Sequence, residues 1–449
     1  MPDSRFPLLD CRDRFGQAVA WTDGTTELTY AELLEQTRRR AANLAAIGIR
    51  CGDRVCFVAE NDLDALLNIW AILWSGAVAC PLSPRFSAAQ VDHIVNELGG
   101  VRLMLDRDSD APPPECSYRA DAPATVILSS GSTGSPKAIV HSLQAHLANA
   151  QGAATNIPIA SGDRWIWSLP VYHVSGLSIV IRCAAAGATI VQHSDGLSAT
   201  ELDRLQITHL SLVSTQLRRL MDQPHFPSSH LQAVLLGGSA VPSSLVKAAR
   251  DIGVPVHTTY GMTEMASQIT TSSCQDAPST SGRVLPRREL RIRDGEILVR
   301  GETLCLGYWK DGEVVAATDE AGWFHTGDLG ELDSQGRLFV TGRIDNMFIS
   351  GGENIYPEAI EKAMLELDGV EQAIVVPRSD PEFGERPVAF LDRSVPLAPG
   401  WREDLKHRLR SFEVPVDILP WPADASSGIK PSRSELRKIA NSTGSDPQT

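Results

Sequence analysis

Apolar residues recur at helical spacing through residues 28–48, LTYAELLEQTRRRAANLAAIG, and Gly48 ends the run. That spacing predicts an amphipathic helix with a glycine stop. DRVCFVA at 53–59 is an apolar run of strand length. The pattern then alternates, with a helix expected over 62–75, a strand over 77–82, a helix over 87–98 and a strand over 101–105. Strands that are apolar throughout, alternating with helices, predict a parallel sheet covered by helices. Residues 108–122, rich in Asp, Pro and Ser, read as a surface loop, and a second alternating stretch runs from 124 to about 270. From 288 the character changes: LRIRDGEILVRG and GRLFVTGR are short strands with an Asp-Gly turn, an antiparallel signature. After 345 a small α+β unit is expected, with a helix over 357–367, a strand over 370–376 and a helix over 401–412. The expected fold class is α/β with an α+β C-terminal part. Its large N-terminal domain, 1–344, combines layered α/β sheets with a β-rich subdomain, and a small domain spans 345–449.

Composition narrows the function classes. A chain of 449 residues exceeds one comfortable core. A formal net charge of −14 leaves no basic excess to displace counterions, so a nucleic-acid partner is not expected, although a local basic pocket stays open. The eight cysteines form no C-x-x-C pair, which leaves a zinc ribbon or redox motif unsupported and fits a reducing, cytoplasmic setting. The N-terminus lacks an apolar signal core. The longest apolar run, Leu66 to Leu82, is broken by Asn68, Ser75, Gly76 and Pro81, and reads as a buried helix leading into a strand, not a membrane span. Oligomeric state is not legible; a homo-oligomer is compatible with the sequence.

The strongest chemical signal is VILSSGSTGSPK at 126–137, where an apolar strand runs into a Ser/Gly loop ending in Pro136-Lys137. Gly131 and Gly134 let backbone amides turn toward an anion; Ser129, Ser130, Ser132 and Thr133 add hydroxyls, and Lys137 adds charge. Such a loop would cradle ATP phosphates. Pro136 before the lysine and Ala138 after it exclude the G-x-x-x-x-G-K-[ST] pattern of P-loop NTPases. The alternative, a flexible linker, does not account for an abrupt start from a buried strand. A second cluster, YGMTE at 260–264, follows the apolar strand VPVHTT. Glu264 there is a candidate Mg²⁺ ligand, because Mg²⁺ favours one or two carboxylates plus phosphate oxygens; a helix-start acid is the plain alternative. Arg182 lies in the apolar stretch IVIRCAAAG and needs an anionic partner, either a substrate carboxylate or one from the protein.

The phosphate loop resembles the signature of the adenylate-forming superfamily, which includes acyl-CoA synthetases, peptide-synthetase adenylation domains and firefly-type luciferases. Further signatures follow in the family's order over nearly the whole chain. The resemblance implies that Thr263 bonds phosphate, that Tyr260 with Gly261 packs on adenine, and that Gly237 and Gly238 of LLGGSAVP pass close to the base. It assigns Asp328 of GWFHTGDLG to the ribose hydroxyls, with a turn aspartate as the alternative, and makes Arg343 a candidate for ribose or phosphate contact. Asp345 occupies the hinge position, and Asn346 departs slightly from the pattern after it. Ser350, Gly351 and Gly352 resemble the loop lining the pantetheine tunnel once the small, mobile domain turns; Lys430 matches the lysine that reaches the reacting carboxylate and α-phosphate. ATP, Mg²⁺ and coenzyme A are the implied cofactors and co-substrates, and a small-molecule acid the implied partner. Finally, SLPVYHVSG with Arg182, QAHLANAQG and LSLVSTQLRRL resemble the o-succinylbenzoate–CoA ligase branch of menaquinone or phylloquinone biosynthesis. In that setting His173 bonds substrate or gates the CoA tunnel, unless it is a satisfied core histidine. Ser129, Ser175 and Thr259 are lesser candidates for the acid pocket. Another aryl- or acyl-CoA ligase, a peptide-synthetase module and a non-catalytic nucleotide-binding regulator remain the competing readings.

Overall fold

The structure, a computed structural model, describes residues 5–104, 112–129, 136–193, 197–422 and 432–443. Among these, the predicted helix–strand alternation is present nearly element for element: helix Tyr30–Ala46, strand Arg54–Val58, helix Leu63–Trp74, strand Val78–Leu82 and helix Ala88–Glu97. Helix Tyr30–Ala46, which follows an unexpected short helix at Pro7–Phe15, starts where the sequence dictates. Thr29 accepts the Glu32 amide and Glu32 reaches back to the Thr29 amide, a capping box. Its buried face is Tyr30, Leu33, Leu34, Thr37, Ala41 and Leu44.

Two large sheets form the body. In a nine-stranded sheet, Val256–Met262, Ala233–Leu236, His209–Leu212, Arg164–Ile166, Thr189–Val191 and Val19–Thr22 run parallel to their neighbours. Antiparallel strands close both its edges. The seven-stranded sheet is parallel over Pro123–Ser129, Val78–Leu82, Arg54–Val58 and Val101–Arg102. It turns antiparallel at Lys137–Ser142, which folds back on Pro123–Ser129 with Ser129 opposite Lys137. The expectation of parallel sheets is thus corrected at this point. The glycine-rich segment joins two adjacent antiparallel strands, so its two ends are pinned side by side. One apolar cluster, built around Trp70, Trp165 and Trp167, includes residues from both sheets.

The antiparallel element expected from 288 onward is a four-stranded sheet of Arg288–Arg293, Glu296–Gly301, Phe324–Leu332 and Leu338–Arg343. Beyond Ile344–Asn346, strands Val370–Asp380, Gly384–Arg393 and Asp417–Pro420 form a separate sheet. Among the described residues, its packing residues, from Phe348 to Ala440, share no apolar cluster with residues before 341. Here the expected helices are shorter, Pro357–Met364 and Trp401–Lys406, and the expected strand is longer. Among the described residues no helix is long and apolar enough to cross a membrane.

Candidate active site

Three strand ends converge on the nucleotide signatures. Strand Val256–Met262 leads into the single turn Thr263–Met265, which carries Glu264. Glu264 is 8% exposed and accepts a hydrogen bond from the Tyr308 hydroxyl at 2.9 Å. The Lys137 ammonium sits 5.6 Å from the centre of the same tyrosine ring. Lys137, at the exit of the glycine-rich segment, and Glu264, from a distant part of the chain, therefore meet across Tyr308. Burial and the neighbouring carboxylate both push the Tyr308 hydroxyl pKa up, so it stays a donor. Behind Thr263, His141 donates from Nε2 to the Thr263 carbonyl at 2.7 Å. Burial drives the His141 pKa down to about 4, so the ring is neutral at physiological pH.

A second group forms at the antiparallel sheet. Asp328 and Arg343 face each other across adjacent strands, with Nη1 3.2 Å from Oδ1. The Tyr260 hydroxyl donates to Asp328 Oδ2 at 2.7 Å. Asp328 is 8% exposed, and burial raises its pKa against the opposing pull of Arg343 and Tyr260. Asp345 lies within 3.9 Å of Arg343. Gly237 is required by contact: a Cβ there would sit 2.6 Å from Thr259 Cγ2. Gly261 likewise lies against the Ser267 carbonyl, where no Cβ fits.

The third group surrounds Arg182, on helix Val174–Ala186. The guanidinium is 2% exposed, lies 5.0 Å from the Trp165 ring and donates to Gln268 Oε1 at 2.6 Å. Among the described residues its Nε and Nη1 have no partner. Among the described residues no carboxylate pairs with it, which removes the protein-carboxylate alternative there. Burial lowers its pKa to about 10, which still leaves it charged. Gln268 Nε2 donates to Thr271 Oγ1 at 2.8 Å, and Thr271 Oγ1 lies 3.3 Å from Thr259 Oγ1. A polar chain therefore links Arg182 to the strand that carries Tyr260. His173 is the N-cap residue of the Arg182 helix, with its ring 4.8 Å from that of Tyr172; it is exposed, so the buried core-histidine alternative does not hold. Ser175 lies in the first turn of that helix.

Ser350, Gly351 and Gly352 stand apart from these groups, at the turn of the hairpin Phe348–Ser350/Glu353–Ile355. Both glycines have positive φ, 57° and 87°, as a two-residue turn demands. Ser130, Gly131, Ser132, Thr133, Gly134 and Lys430 lie outside the described residues. Sequence reasoning missed Tyr308, His141 and Gln268. Each bonds a site residue distant in the chain, 44 positions away for Tyr308, 122 for His141 and 86 for Gln268, and the sequence signals that partner nowhere.

The residues fit magnesium. Among the described residues no group of three His, Cys, Asp or Glu side chains could hold a metal by itself. Glu264 is a buried carboxylate whose recorded partner is a neutral hydroxyl, beside the segment expected to hold phosphate. One carboxylate completed by phosphate oxygens and water is a habitual magnesium arrangement.

Layered α/β sheets, a glycine-rich segment between paired strands and acidic groups on two converging strands define a nucleotide-binding enzyme. The chain belongs to the AMP-binding enzyme family, whose model matches residues 10–112 and 104–309. It is 36% identical over 423 residues to the 2-succinylbenzoate–CoA ligase of Haemophilus influenzae, covering 91% of this chain and 92% of that one. It is 35% identical over 453 residues to the enzyme of the same name from Escherichia coli, covering 97% and 98%. Among solved structures, an arginine-to-lysine variant of E. coli MenE with bound OSB-AMS superposes with a TM-score of 0.87 at 33% identity, covering 99% of this chain and 100% of that one. Bacillus subtilis o-succinylbenzoate coenzyme A synthetase (MenE), in complex with ATP and magnesium ion, superposes with a TM-score of 0.86 at 29% identity, covering 96% and 99%.

Proposed function

We propose that the chain is an AMP-forming acid–thiol ligase that converts 2-succinylbenzoate and coenzyme A to 2-succinylbenzoyl-CoA at the expense of ATP, in the cytoplasm, as a step toward menaquinone or phylloquinone. The observation that carries the choice of acid is Arg182, a buried cation with two free nitrogens and no carboxylate partner among the described residues. A substrate with two carboxylates supplies what it lacks: one reacts while the other neutralises the cation. A fatty acid or benzoate would leave Arg182 uncompensated.

In the first step a carboxylate oxygen of the acid attacks the α-phosphorus of ATP, and pyrophosphate leaves. Two anions must approach, so positive charge and oriented donors are needed at low dielectric. We assign phosphate binding to Lys137, the Thr263 turn and the loop donors Ser129, Ser130, Gly131, Ser132, Thr133 and Gly134. Magnesium, held through Glu264, would neutralise phosphate charge. His141 holds the Thr263 carbonyl, fixing the turn that aims Glu264. Asp328, steadied by Tyr260 and Arg343, would accept the ribose hydroxyls, and Gly237 and Gly238 would admit the base. Lys430 would bridge the carboxylate and the α-phosphate. In the second step the CoA sulfur attacks the acyl carbon, AMP departs with the bonding pair, and the thiol proton is released. No protein nucleophile is required. We place a hinge at Asp345, between a 1–344 domain and a mobile 345–449 domain; the separate apolar clusters on either side support that division. The Ser350–Gly352 turn would then form the CoA tunnel.

The test is CoA-dependent pyrophosphate release with 2-succinylbenzoate, benzoylpropionate (the analogue lacking the aromatic carboxylate), benzoate and fatty acids. The diacid should be preferred. Arg182→Ala should erase that preference, since a charge-assisted bond is worth about 1.5–3 kcal/mol. Equal turnover of diacid and monoacid by the unaltered enzyme would refute the choice of acid.

A further inference from the structure

A second buried arginine stands behind the first. Arg288, at the start of strand Arg288–Arg293, is 6% exposed, and among the described residues it pairs with no carboxylate. Its guanidinium donates from Nη1 to the Gln268 carbonyl, from Nε to the Pro286 carbonyl at 3.1 Å and from Nη2 toward the Asn149 carbonyl at 3.4 Å. Asn149 Nδ2 also donates to the Gln268 carbonyl, at 3.0 Å. The backbone of Gln268 is therefore clamped by two donors, while its side-chain oxygen holds Arg182. Space is reserved for this clamp. Gly152, on helix Leu143–Ala154, faces Arg288 so closely that a Cβ would collide with Nη2 and with the Pro286 carbonyl. Burial and the charge of Arg182 together lower the Arg288 pKa to about 9.

A guanidinium buried merely to bond carbonyls is an expensive device, since a neutral amide would serve. Two guanidiniums fixed to the same glutamine, one through its backbone and one through its side chain, place two positive charges where the described residues offer no carboxylate partner. We propose that Arg288 is a positioning and specificity residue for the diacid. It fixes Gln268, Gln268 aims Arg182, and the second charge deepens the positive potential that draws the non-reacting carboxylate. The inference rests on the reading that Arg182 receives that carboxylate.

Two substitutions test it. Arg288→Met removes clamp and charge while filling similar volume. Gln268→Glu keeps the shape and gives Arg182 a carboxylate within the protein. Each should raise KM for 2-succinylbenzoate by about tenfold or more, with a much smaller change in kcat, and should raise KM for benzoylpropionate far less. Arg288→Lys, which restores the charge, should recover part of the loss. Thermal melting separates folding from specificity: if Arg288→Met melts early, Arg288→Lys, which keeps the charge and most of the side chain but not the forked clamp, still reads the effect as a raised KM for the diacid. Loss of discrimination in Arg182→Ala together with both variants supports the proposal. Loss in Arg182→Ala alone, with Arg288→Met and Gln268→Glu keeping the diacid preference, overturns it and leaves the reading of Arg182 intact. Retained discrimination in Arg182→Ala overturns both.

Discussion

Glu366 accepts the Ser243 amide at 2.6 Å, the Ser243 hydroxyl at 2.7 Å and the Ser244 amide at 3.1 Å. Helix Ser243–Asp251 has Pro242 at its N-cap and no capping side chain of its own, so a carboxylate from the C-terminal unit caps it. Burial opposes ionisation, yet the serine donors outweigh it and hold the Glu366 pKa below the ordinary carboxylate value. On the proposed hinge at Asp345, this contact favours the arrangement seen here. Lost caps cost about 1 kcal/mol, on the order of a fivefold shift in population. Glu366→Ala should therefore change the two half-reactions unequally, slowing one severalfold while sparing or speeding the other. Separate assays of adenylate formation and of thioester formation from prepared adenylate check this. Equal slowing of both would make the contact a plain helix cap.

Glu264 and Tyr308 predict a graded response to magnesium. Glu264→Ala should raise the Mg²⁺ concentration needed for half-maximal pyrophosphate release and cut the rate at saturation, because the carboxylate is the proposed ligand. Tyr308→Phe removes only the donor 2.9 Å from Glu264, so its effect should be smaller, about 1 kcal/mol, and largely overcome by excess Mg²⁺. A Tyr308→Phe loss as large as that of Glu264→Ala would give the tyrosine a separate role.

Stability should fall on the acid side through buried histidine. His141 has a folded pKa of about 4 against an ordinary 6.5, and burial also lowers the pKa of His146, whose ring lies 4.9 Å away. A depressed histidine pKa means the native state binds fewer protons than the unfolded chain. Stability is then complete above the unfolded value and is lost as pH falls through the window from 6.5 to about 4. Each such histidine contributes a loss of about 1.4 kcal/mol per pH unit inside the window. The melting temperature should drop between neutral pH and pH ~5. His141→Gln, which can still donate to Thr263, should show a shallower drop; an unchanged slope would place the acid sensitivity elsewhere.

The periodic part of the chain was readable because burial imposes periodicity. Helix Leu63–Trp74 and strand Val78–Leu82 sit within a residue of their expected limits, since each is bounded by a cap or a glycine that the sequence displays. The antiparallel return of Lys137–Ser142 was not readable, because a strand buried on both faces has the same composition whichever way it runs. Site residues inside motifs, such as Asp328 and Glu264, stood out through their neighbours. Tyr308 and Arg288 carry no local signal. Tyr308 matters through a contact 44 residues away, and Arg288 through one 20 residues away made to a carbonyl that every residue possesses.

The hairpin turn at Gly351 gives the sharpest division of the two half-reactions. Gly351 has φ 57° and donates its amide to the Phe383 carbonyl at 2.9 Å. A Cβ there would lie 2.9 Å from the Phe383 ring, whereas at Gly352, with φ 87°, it would meet nothing within 4 Å. Alanine at either position suffers the left-handed penalty, about 1–2 kcal/mol. Only at Gly351 must a neighbour also move. If this turn lines the CoA channel, Gly351→Leu should leave adenylate formation from acid and ATP near the unaltered rate and block thioester formation. Gly352→Ala should slow the second step modestly. Lys430→Ala should do the reverse: the lysine serves only the approach of carboxylate to α-phosphate, where a donor of this kind is worth about a hundredfold or more. Supplied with prepared 2-succinylbenzoyl-AMP and CoA, the Lys430→Ala enzyme should still form thioester. The crossed pattern requires two arrangements of the C-terminal unit, each presenting one of these segments to the same nucleotide. Should Gly351→Leu and Lys430→Ala both slow both steps to the same degree, a single arrangement would serve the whole reaction, and the hinge at Asp345 would have no catalytic part.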